Sequence, residues 1–381
     1  MIYRPIGNTG MSASIIGLGA EHLDNKPYET VDSVIGTSLE QGINIMDVFM
    51  PGEQVRRNIG KALKGKRDKI LIQGHIGSTD INQQYDISRD PKTVRKYFEE
   101  LMRFLETDYI DFGMLFFIDS EKDFNDVFNG ESLSYALELK KQGRIRALGA
   151  SSHDPKTARR VVETGLIDLL MFSINPAFDM IAADTNALTY LDNMSIDIEK
   201  KLDPDRAALY RLCEQKGIAI TVMKSLGAGK LISSGHTPFN KPLSVHQCIH
   251  YALTRPAVVS VLLGCSTPEQ IWEAAGYLNA KEEELDYSFI LKDYQGNMKG
   301  SCVYCNHCLP CPSEINIANV NKYLDIALLD ENNIPPSIIS HYKSLEHKAS
   351  ECIDCKSCEE RCPFFVKVIK NMKKAASLFG E

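Results

Sequence analysis

The chain has 381 residues, of which 44% are hydrophobic and 24% are charged, a composition typical of a globular protein with room for one large domain and a smaller one. Its net charge of −7 at pH 7 argues against a nucleic-acid-binding role, because phosphate binding requires a basic face. No apolar run reaches the roughly 18 residues of a membrane span, and the first residues lack the basic-then-apolar order of a signal peptide, so the sequence predicts a cytoplasmic protein without a membrane span.

Eight short apolar segments have the length and composition of β-strands. They cover residues 14–20, 43–48, 69–75, 110–116, 145–151, 167–173, 218–224 and 258–264. The segments between them are amphipathic: residues 29–42 have apolar side chains at helical spacing, and residues 90–106 begin with the helix-start pair Asp90 and Pro91. Continuous apolar strands joined through helices predict parallel pairing. Eight such units predict an α/β fold, a (β/α)₈ TIM barrel, rather than a doubly wound sheet with fewer strands.

The sequence predicts two domains. Residues 1–282 form the barrel, and the turn residues Asn8, Thr9 and Gly10 predict a β-hairpin ahead of its first strand. Residues 283–381 are predicted to form a smaller, mainly α-helical domain. Three segments of it have helical periodicity, at residues 314–330, 334–350 and 364–380. The last is amphipathic and basic, and we expect a solvated or docked helix there rather than a membrane-surface one.

Polar side chains follow the predicted strands at the ends where TIM barrels carry catalytic sites. They are His22, Asp47, His75, His153, Asn175 and Lys224. The ordinary pKa of imidazole, near 6.5, allows His75 to donate a proton to a developing alkoxide near neutral pH. Other interpretations stay open: Asp47 could accept loop hydrogen bonds, His153 could cap the next helix, and His22 could be an exposed loop residue. His22, Asp47 and His75 lie on neighbouring predicted strands and could also bind a metal ion.

Eight of the eleven cysteines lie between residues 302 and 362, in two C-x₂-C-x₂-C runs that each continue to a Cys-Pro pair. This spacing is typical of two [4Fe–4S] clusters, in which the fourth thiolate of each run binds the other cluster. The predicted ligands are Cys302, Cys305, Cys308 and Cys362 for one cluster, and Cys352, Cys355, Cys358 and Cys311 for the other. The first run departs from the usual pattern, with two residues rather than three before Cys311. Zinc is the alternative, although cysteines at every third position and the Cys-Pro endings favour iron.

The other three cysteines, Cys213, Cys248 and Cys265, lack such spacing. We expect the first two to be small buried residues on helices. In a reducing cytosol, clustered cysteines hold metals more often than disulfides, so the tail run is interpreted as a metal-binding region.

Several segments resemble the aldo/keto reductases, beginning with the hairpin at the start of the chain. The others are GINIMD (42–47), RDKILI (67–72), TDYIDFGML (107–115), IRALGASSHDP (145–155), GIAITVMKSLGAGKL (217–231) and LLGCSTPEQI (262–271). The cysteine-rich tail resembles the branch of this family that carries a C-terminal ferredoxin-like domain. The resemblance covers nearly the whole chain and implies a barrel oxidoreductase.

The resemblance also implies a catalytic set of Asp, Tyr, Lys and His, with Tyr as the proton donor. Asp47 matches the Asp, but the segment DVFMPGEQ (47–54) contains no Tyr where one is expected. His75 aligns with the Lys position and Phe116 with the His position. Asp47 and His75 are therefore the predicted catalytic residues.

The same resemblance places Ser151, Asn175 and Lys224 where family members contact the nicotinamide of NAD(P)H, with Met223 where an aromatic ring usually stacks. The positions that often hold the adenosine 2′-phosphate are occupied by Gly264, Cys265, Gln270 and Ala274. This set argues against NADP selectivity. The loop KSLGAGKL (224–231) offers the backbone of Gly227 and Gly229 and two lysines for a phosphate such as that of FMN, although Gly-rich turns are also common in ordinary loops.

A nicotinamide transfers two electrons as a hydride, whereas a cluster exchanges one, so a flavin normally lies between them. Either the clusters are structural beside a hydride-transfer site, or the barrel holds FMN. The sequence therefore predicts an iron–sulfur oxidoreductase of aldo/keto reductase type. We expect a small carbonyl or unsaturated substrate and a ferredoxin or flavodoxin as electron partner. The alternatives are a non-catalytic binding module with structural clusters and a metal-dependent hydrolase or lyase.

Overall fold

The computed structural model describes residues 1–81, 84–180, 203–291, 300, 302, 308–362 and 365–380. Twelve strands are present in these residues. They are Tyr3–Pro5 (β1), Ser12–Ser14 (β2), Ile16–Gly19 (β3), Ile45–Val48 (β4), Leu71–Ile76 (β5), Ser78–Ile81 (β6), Gln84–Ile87 (β7), Ile110–Leu115 (β8), Ile145–Ser152 (β9), Leu169–Ser173 (β10), Ala219–Met223 (β11) and Val258–Gly264 (β12). Strands β10, β11, β12, β3, β4, β5, β8 and β9 close, in that order, into a barrel. Every neighbouring pair is parallel. The predicted (β/α)₈ barrel and all eight of its strands are confirmed.

Helices lie between the barrel strands and continue into the tail. The described α-helices are Tyr28–Glu40, Glu53–Ala62, Pro91–Phe104, Glu121–Phe128, Glu131–Lys141, Pro155–Glu163, Pro176–Met180, Pro204–Gln215, Val245–Leu253, Pro268–Gly276, Glu282–Leu285, Ile317–Ala327, Pro336–Lys343, Ser357–Glu360 and Val368–Phe379. Short 3₁₀ segments cover Ala20–Leu23, Arg67–Lys69, Lys230–Ile232, Tyr277–Asn279, Ser288–Leu291 and Ala349–Glu351. In the part of the chain that the structure describes, no helix is long and apolar enough to cross a membrane.

The predicted amino-terminal hairpin is confirmed, and it closes one end of the barrel. Strands β1 and β2 pair antiparallel. Ile6, Met11 and Ala13 of the hairpin are buried in one apolar cluster with side chains of the barrel interior, including Phe112. Arg4 donates a hydrogen bond of 2.6 Å to the carbonyl of Val258, the first residue of β12. Because the strand starts are covered, access to the interior is left at the strands' carboxyl ends.

Aspartate caps begin the helices that follow the strands. Asp90 accepts a hydrogen bond of 2.9 Å from the amide of Thr93, at the start of the helix Pro91–Phe104. Asp154 accepts one of 2.6 Å from the amide of Thr157 in the same way. A side-chain oxygen at this position satisfies an amide that the helix cannot pair internally. The helix start predicted at Asp90 is confirmed.

The three predicted tail helices are confirmed as Ile317–Ala327, Pro336–Lys343 and Val368–Phe379. The tail contacts the outside of the barrel: the amide of Ser337 donates to the Glu214 carboxylate of the helix Pro204–Gln215 over 3.4 Å. Asn319 donates a hydrogen bond of 2.8 Å to Glu282, and Lys322 lies over the Tyr287 ring, 5.1 Å from its centroid. Residues 282–287 thus contact the helix Ile317–Ala327, and the predicted domain boundary after residue 282 stays a prediction.

The packing of the helical layer can be tested at Gly60, in the helix Glu53–Ala62. A Cβ atom there would lie 2.5 Å from the carbonyl oxygen of Phe104 and 2.8 Å from the carbonyl carbon of Leu105, so the backbone would have to shift. We expect Gly60→Ala to lower the free energy of unfolding by about 1–3 kcal/mol, the range for overpacking. Chemical denaturation of the full chain measures it.

Gly36→Ala is the matched control, because Gly36 is also helical but a Cβ there meets no atom within 4 Å. This variant should raise the free energy of unfolding by about 0.5–1 kcal/mol through the better helix propensity of Ala. Equal effects of the two substitutions would contradict the close contact at Gly60.

Candidate functional site

A pocket of about 420 Å³ opens at the carboxyl ends of the barrel strands. Predicted site residues in its wall are Asp47, His75, Ser151, Lys224 and Gly229, joined by His22 and His153. Asn175 and Gly227 lie outside the wall, and their contact with a cofactor stays a prediction. The structure thus brings together, on one surface, residues that the sequence places on five different strands or their following loops.

Asp47 and His75 form a buried pair in the pocket wall. Nε2 of His75 lies 2.7 Å from Oδ1 of Asp47, and each residue is 2% exposed. Nε2 donates this hydrogen bond, because a carboxylate only accepts. Among the described residues no group donates to Oδ2 of Asp47. The carboxylate therefore keeps one oxygen for a molecule bound in the pocket.

Gln73 holds the same carboxylate, and sequence reasoning missed it. Its Nε2 donates to Oδ1 of Asp47 over 3.0 Å, and its Oε1 accepts from the hydroxyl of Thr221 over 2.8 Å. The chain Thr221, Gln73, Asp47, His75 crosses the barrel interior from β11 to β4 and β5. The sequence contained a signal for this residue, because Gln73 is a polar residue inside an apolar strand. It lies two positions before His75, which places both side chains on the same face of the strand.

The other ring nitrogen of His75 has no partner. Nδ1 is buried and makes no hydrogen bond with the described residues. The ring is flanked by Phe116 and Phe49, whose centroids lie 5.1 Å and 6.2 Å away, both edge to face. Nδ1 is the ring nitrogen left for the proton donation predicted for His75. Because an unpaired buried nitrogen costs about 1–3 kcal/mol, a bound group that pairs with it gains accordingly.

The three-residue metal site considered for His22, Asp47 and His75 is wrong for the described residues. They contain no group of three His, Cys, Asp or Glu side chains placed to hold one metal ion. His22 instead packs on Gly264, where a Cβ would lie 2.4 Å from Cδ2 of the imidazole. The alternative that Asp47 only accepts loop hydrogen bonds is also wrong, since its partners are side chains of β5.

Asn175 makes two hydrogen bonds, one of which holds the loop that contains Lys224. Its Nδ2 donates to the carbonyl of Lys224 over 2.8 Å, and its Oδ1 accepts from the amide of Phe178 over 2.9 Å. Lys224 has a left-handed backbone, with φ 57°, which is unusual for a residue with a side chain. Burial lowers the pKa of Lys224, and the charges of Glu21 and Asp119 act in the opposite direction. Lys224 is a desolvated cation without an ion pair among the described residues.

The amides of the glycine loop are used inside the loop. Gly227 donates to the carbonyl of Lys224 over 2.9 Å and Gly229 donates to that of Leu226 over 3.0 Å. Both glycines have positive φ, 56° and 82°, so the tight turn depends on them. The charge that this loop presents to the pocket therefore comes from the side chain of Lys224.

His153 does not cap the following helix, because Asp154 does so. Its Nδ1 lies 2.8 Å from Oδ2 of Asp119, in the loop after β8. The pocket therefore contains two imidazole–carboxylate pairs. The sequence showed each histidine at a strand end but did not show that Asp119 is the partner of the second.

A second cavity lies in the tail. It is lined by four cysteines and apolar side chains, Cys311, Cys352, Cys355, Cys358, Ile315, Val368 and Met372 among them. Asp354 and Lys356 have left-handed backbones, φ 55° and 65°, between the cysteines. Such residues build backbone concavities of the kind found at anion and iron–sulfur sites. Arg361 donates to the carbonyls of Cys308 and Pro310 over 2.8 Å and 2.7 Å, which ties the two cysteine runs together.

A [4Fe–4S] cluster takes one thiolate on each iron, so its ligands encircle a volume, unlike those of a single zinc ion. The four cysteines line one cavity, but its volume is only about 10 Å³, and no three metal-ligating side chains among the described residues are placed to hold one metal ion. The cluster on these cysteines stays a prediction. Three of the other four predicted ligands are in the part of the chain that the structure describes: Cys302, Cys308 and Cys362. The fourth, Cys305, lies outside the described residues.

The remaining cysteines are buried, as predicted for the first two. Cys213 and Cys248 lie on the helices Pro204–Gln215 and Val245–Leu253 and are 0% exposed, and Cys265 is 4% exposed. Burial raises the pKa of Cys248 to about 12. A buried thiol of this kind is an inert packing residue.

Comparison with known proteins decides the family. Residues 15–247 match the model of the aldo/keto reductase family. The chain belongs to that family. As a member, it is an oxidoreductase enzyme, in agreement with relatives such as an uncharacterized oxidoreductase of Bacillus subtilis, 25% identical over 302 residues that cover 74% of this chain and 94% of the relative.

Three further similarities show how much of the chain resembles known proteins. The NADH-specific methylglyoxal reductase of Escherichia coli is 24% identical, covering 75% of this chain and 96% of the relative. The holo form of an aldo-keto reductase from Bacillus halodurans superposes with a TM-score of 0.58 at 20% identity, over 77% of this chain and 96% of that one. An aldo/keto reductase of Klebsiella pneumoniae in complex with NADP and acetate has a TM-score of 0.53 at 14% identity, over 76% and 94%. The structural likeness concerns the fold.

The hydrogen bond from Thr221 to Gln73 can be tested by stability. We expect Thr221→Val, which keeps the shape, to lower the free energy of unfolding by about 1–3 kcal/mol, because Oε1 of Gln73 would be buried without a donor. Urea denaturation measures the change.

Ser260→Ala is the matched control on the neighbouring strand, opposite Thr221 in the register. The Ser260 hydroxyl is buried and has no partner, so its removal should leave the stability unchanged or raise it. If Thr221→Val were as mild as Ser260→Ala, Gln73 would not depend on Thr221.

Proposed function

We propose that this aldo/keto reductase is an iron–sulfur oxidoreductase that acts on a small carbonyl or unsaturated molecule in the barrel pocket. The Asp47–His75 pair, with the unpartnered Nδ1 of His75, is the observation that carries the proposal. The pair supplies a carboxylate oxygen and an imidazole nitrogen to a bound molecule at the place where such barrels carry out chemistry.

The two residues have complementary roles in the proposal. A carbonyl that accepts a hydride gains negative charge on its oxygen, and a donor already in place stabilises that charge. His75 offers Nδ1 to an oxygen of the bound molecule, and because Nε2 donates to Asp47, Nδ1 can donate only when the ring carries both protons. In the family that this chain resembles, Tyr, Lys and His supply and tune the proton. This sequence has none of the three at the matching positions.

The pocket suits an anionic cofactor. Lys224 offers a positive charge without an ion pair among the described residues, and Ser151 is a second polar residue of the same pocket wall. Family members typically use NAD(P)H, which supplies a hydride when bound. The residues near the end of β12 are Gly264, Cys265 and Gln270, which carry no positive charge for a 2′-phosphate, so we propose NADH over NADPH. FMN held through its phosphate by Lys224 is the second cofactor proposed.

In the tail we propose two [4Fe–4S] clusters on the eight cysteines, in the crossed assignment described above. The support is the cavity shared by Cys311 of the first run and three cysteines of the second, which is the predicted partition of one cluster. This cavity and the barrel pocket have no lining residue in common. A flavin in the barrel would convert hydride pairs to the single electrons that clusters carry to a ferredoxin or flavodoxin. Thiolate ligands also suit a reducing, cytoplasmic compartment.

Cofactor content tests this proposal. Protein purified without oxygen should contain about eight irons per chain, and Cys355→Ala should contain about four fewer, because each cluster needs its thiolates. Native mass spectrometry and iron analysis measure both, and the same spectra identify a bound flavin or nicotinamide.

Cys213→Ala is the control, since this buried cysteine lies on a barrel helix and should leave the iron unchanged. Unchanged iron in Cys355→Ala, or loss of iron in Cys213→Ala, would contradict the partition of the cysteines. Iron without any nucleotide would instead favour a binding module with structural clusters.

Replacement of His75 by Gln tests the barrel site. We expect turnover of methylglyoxal with NADH under anaerobic conditions to fall by roughly 10²-fold or more, while cofactor content stays the same, because Gln donates to Asp47 but carries no charge.

His75→Lys should not restore activity, because there is no phenol for a lysine to tune. Reduction of simple aldehydes with NADPH should be near background in the unmodified protein, because the family's phenol is missing and Gly264, Cys265 and Gln270 offer no positive charge to the 2′-phosphate. Robust reduction of this kind, in air and with the clusters removed, would return the protein to the usual mechanism of its family.

A further inference from the structure

The second imidazole–carboxylate pair, His153 and Asp119, is built to hold one ring orientation. Asp119 uses both oxygens: Oδ2 lies 2.8 Å from Nδ1 of His153, and Oδ1 accepts from the His153 amide over 2.6 Å. The hydroxyl of Ser152 donates to Oδ1 over 3.1 Å. Because the carboxylate only accepts, the ring proton is on Nδ1 and the free nitrogen is Nε2.

The free nitrogen of His153 differs from that of His75 in its access to the pocket. Nε2 makes no hydrogen bond with any described residue, yet it is not among the atoms sealed from solvent, whereas Nδ1 of His75 is. The His153 side chain keeps 9% of its surface exposed. His153 can therefore exchange protons with water in the pocket, which His75 as it stands cannot.

Asp119 is ionised in this arrangement. Burial acts to raise the pKa of the carboxyl group, but the hydrogen bonds and charge of His153 and the hydrogen bond of Ser152 outweigh it, and the pKa stands below its usual value. A carboxylate at Nδ1 both orients an imidazole and stabilises its protonated form.

The loop that carries Asp119 is strained. Phe117 has φ 54°, a left-handed conformation that is rare for an aromatic residue. Arg89 holds this loop with hydrogen bonds to the carbonyls of Phe116 and Phe117, 2.9 Å and 2.8 Å long. Ser151 accepts from the Phe117 amide over 2.8 Å. Strain of this kind costs about 1–3 kcal/mol and persists at functional sites, where surrounding contacts enforce it.

The two histidines lie at opposite ends of one aromatic wall. Ring centroids are 5.1 Å apart for His75 and Phe116, 5.9 Å for Phe116 and Phe117, and 5.1 Å for Phe117 and His153. Two phenylalanine rings therefore separate the imidazoles. Both imidazoles and both phenylalanine rings line the same pocket, so the two histidines can have different roles in one reaction.

We propose that His153, rather than His75, is the proton donor of the barrel reaction, that Asp119 is its positioning residue, and that His75 binds a second polar group of the substrate. This rests on the proposed function. A bound dihydronicotinamide would supply the hydride to the carbonyl carbon in the reducing direction, becoming oxidised, and the π pair would move to oxygen. His153 would give that oxygen the proton from Nε2 of its imidazolium, which leaves a neutral ring protonated on Nδ1. Water in the pocket would return the proton to Nε2.

The experiment measures kcat and KM of the anaerobic holoenzyme for methylglyoxal with NADH as a function of pH. We expect His153→Gln to lower kcat by about 10²-fold or more with little change in KM, the usual range for losing a positioned acid. It should also remove the fall in rate with rising pH that deprotonation of the acid causes, whereas His75→Gln lowers the rate and keeps that fall.

Variants of Asp119 test whether this residue positions His153 or only stabilises the fold. Asp119→Asn should lower kcat by more than about tenfold, and Asp119→Glu, which keeps the charge, should recover much of the rate. His236→Gln, at an exposed loop residue, is the control and should match the unmodified protein.

A readout without turnover uses diethyl pyrocarbonate, which modifies accessible neutral imidazoles. Peptide mass spectrometry should find His153 modified and His75 unmodified, with protection of His153 by NADH. Unmodified His153, or full turnover with the same pH dependence in His153→Gln while His75→Gln is inactive, would overturn the assignment and leave the proposed function standing. No turnover and no NADH protection in the unmodified protein would overturn both.

Discussion

The hydrogen bond between His75 and Asp47 is the interaction on which the barrel site depends. It is buried at the carboxyl ends of two adjacent strands, and Gln73 and Thr221 hold its carboxylate from across the barrel. Burial of a charged pair is favourable only when its remaining hydrogen-bonding capacity is satisfied. Here Oδ2 of Asp47 and Nδ1 of His75 are left without partners among the described residues, and both belong to the pocket.

The rest of the barrel serves this arrangement. The hairpin covers the strand starts, and the rings of Phe116 and Phe117 lie between the two histidines at the other end of the barrel. The chain keeps the oxidoreductase fold while the polar groups of its pocket are arranged as two imidazole–carboxylate pairs.

The cysteine region of the tail is held together by contacts of its own. Four cysteines line one cavity, apolar side chains cover it, and Arg361 ties the two runs together through backbone carbonyls. The tail contacts the barrel, for example through the hydrogen bond of 3.4 Å from the Ser337 amide to Glu214. The proposed clusters would therefore lie in a segment that contacts the outside of the barrel.

The sequence alone determined the eight strands, the hairpin, the tail helices and the grouping of Cys311 with the second cysteine run, because strand and helix periodicity and ligand spacing are local properties of the chain. It also placed Asp47 and His75 at strand ends. Only the tertiary structure decided their partners. Gln73 and Thr221 are 148 residues apart in sequence, and Asp119 and His153 are 34 apart. Such pairs depend on barrel closure, strand register and loop backbone angles, and no local pattern encodes which nitrogen of each histidine is left open.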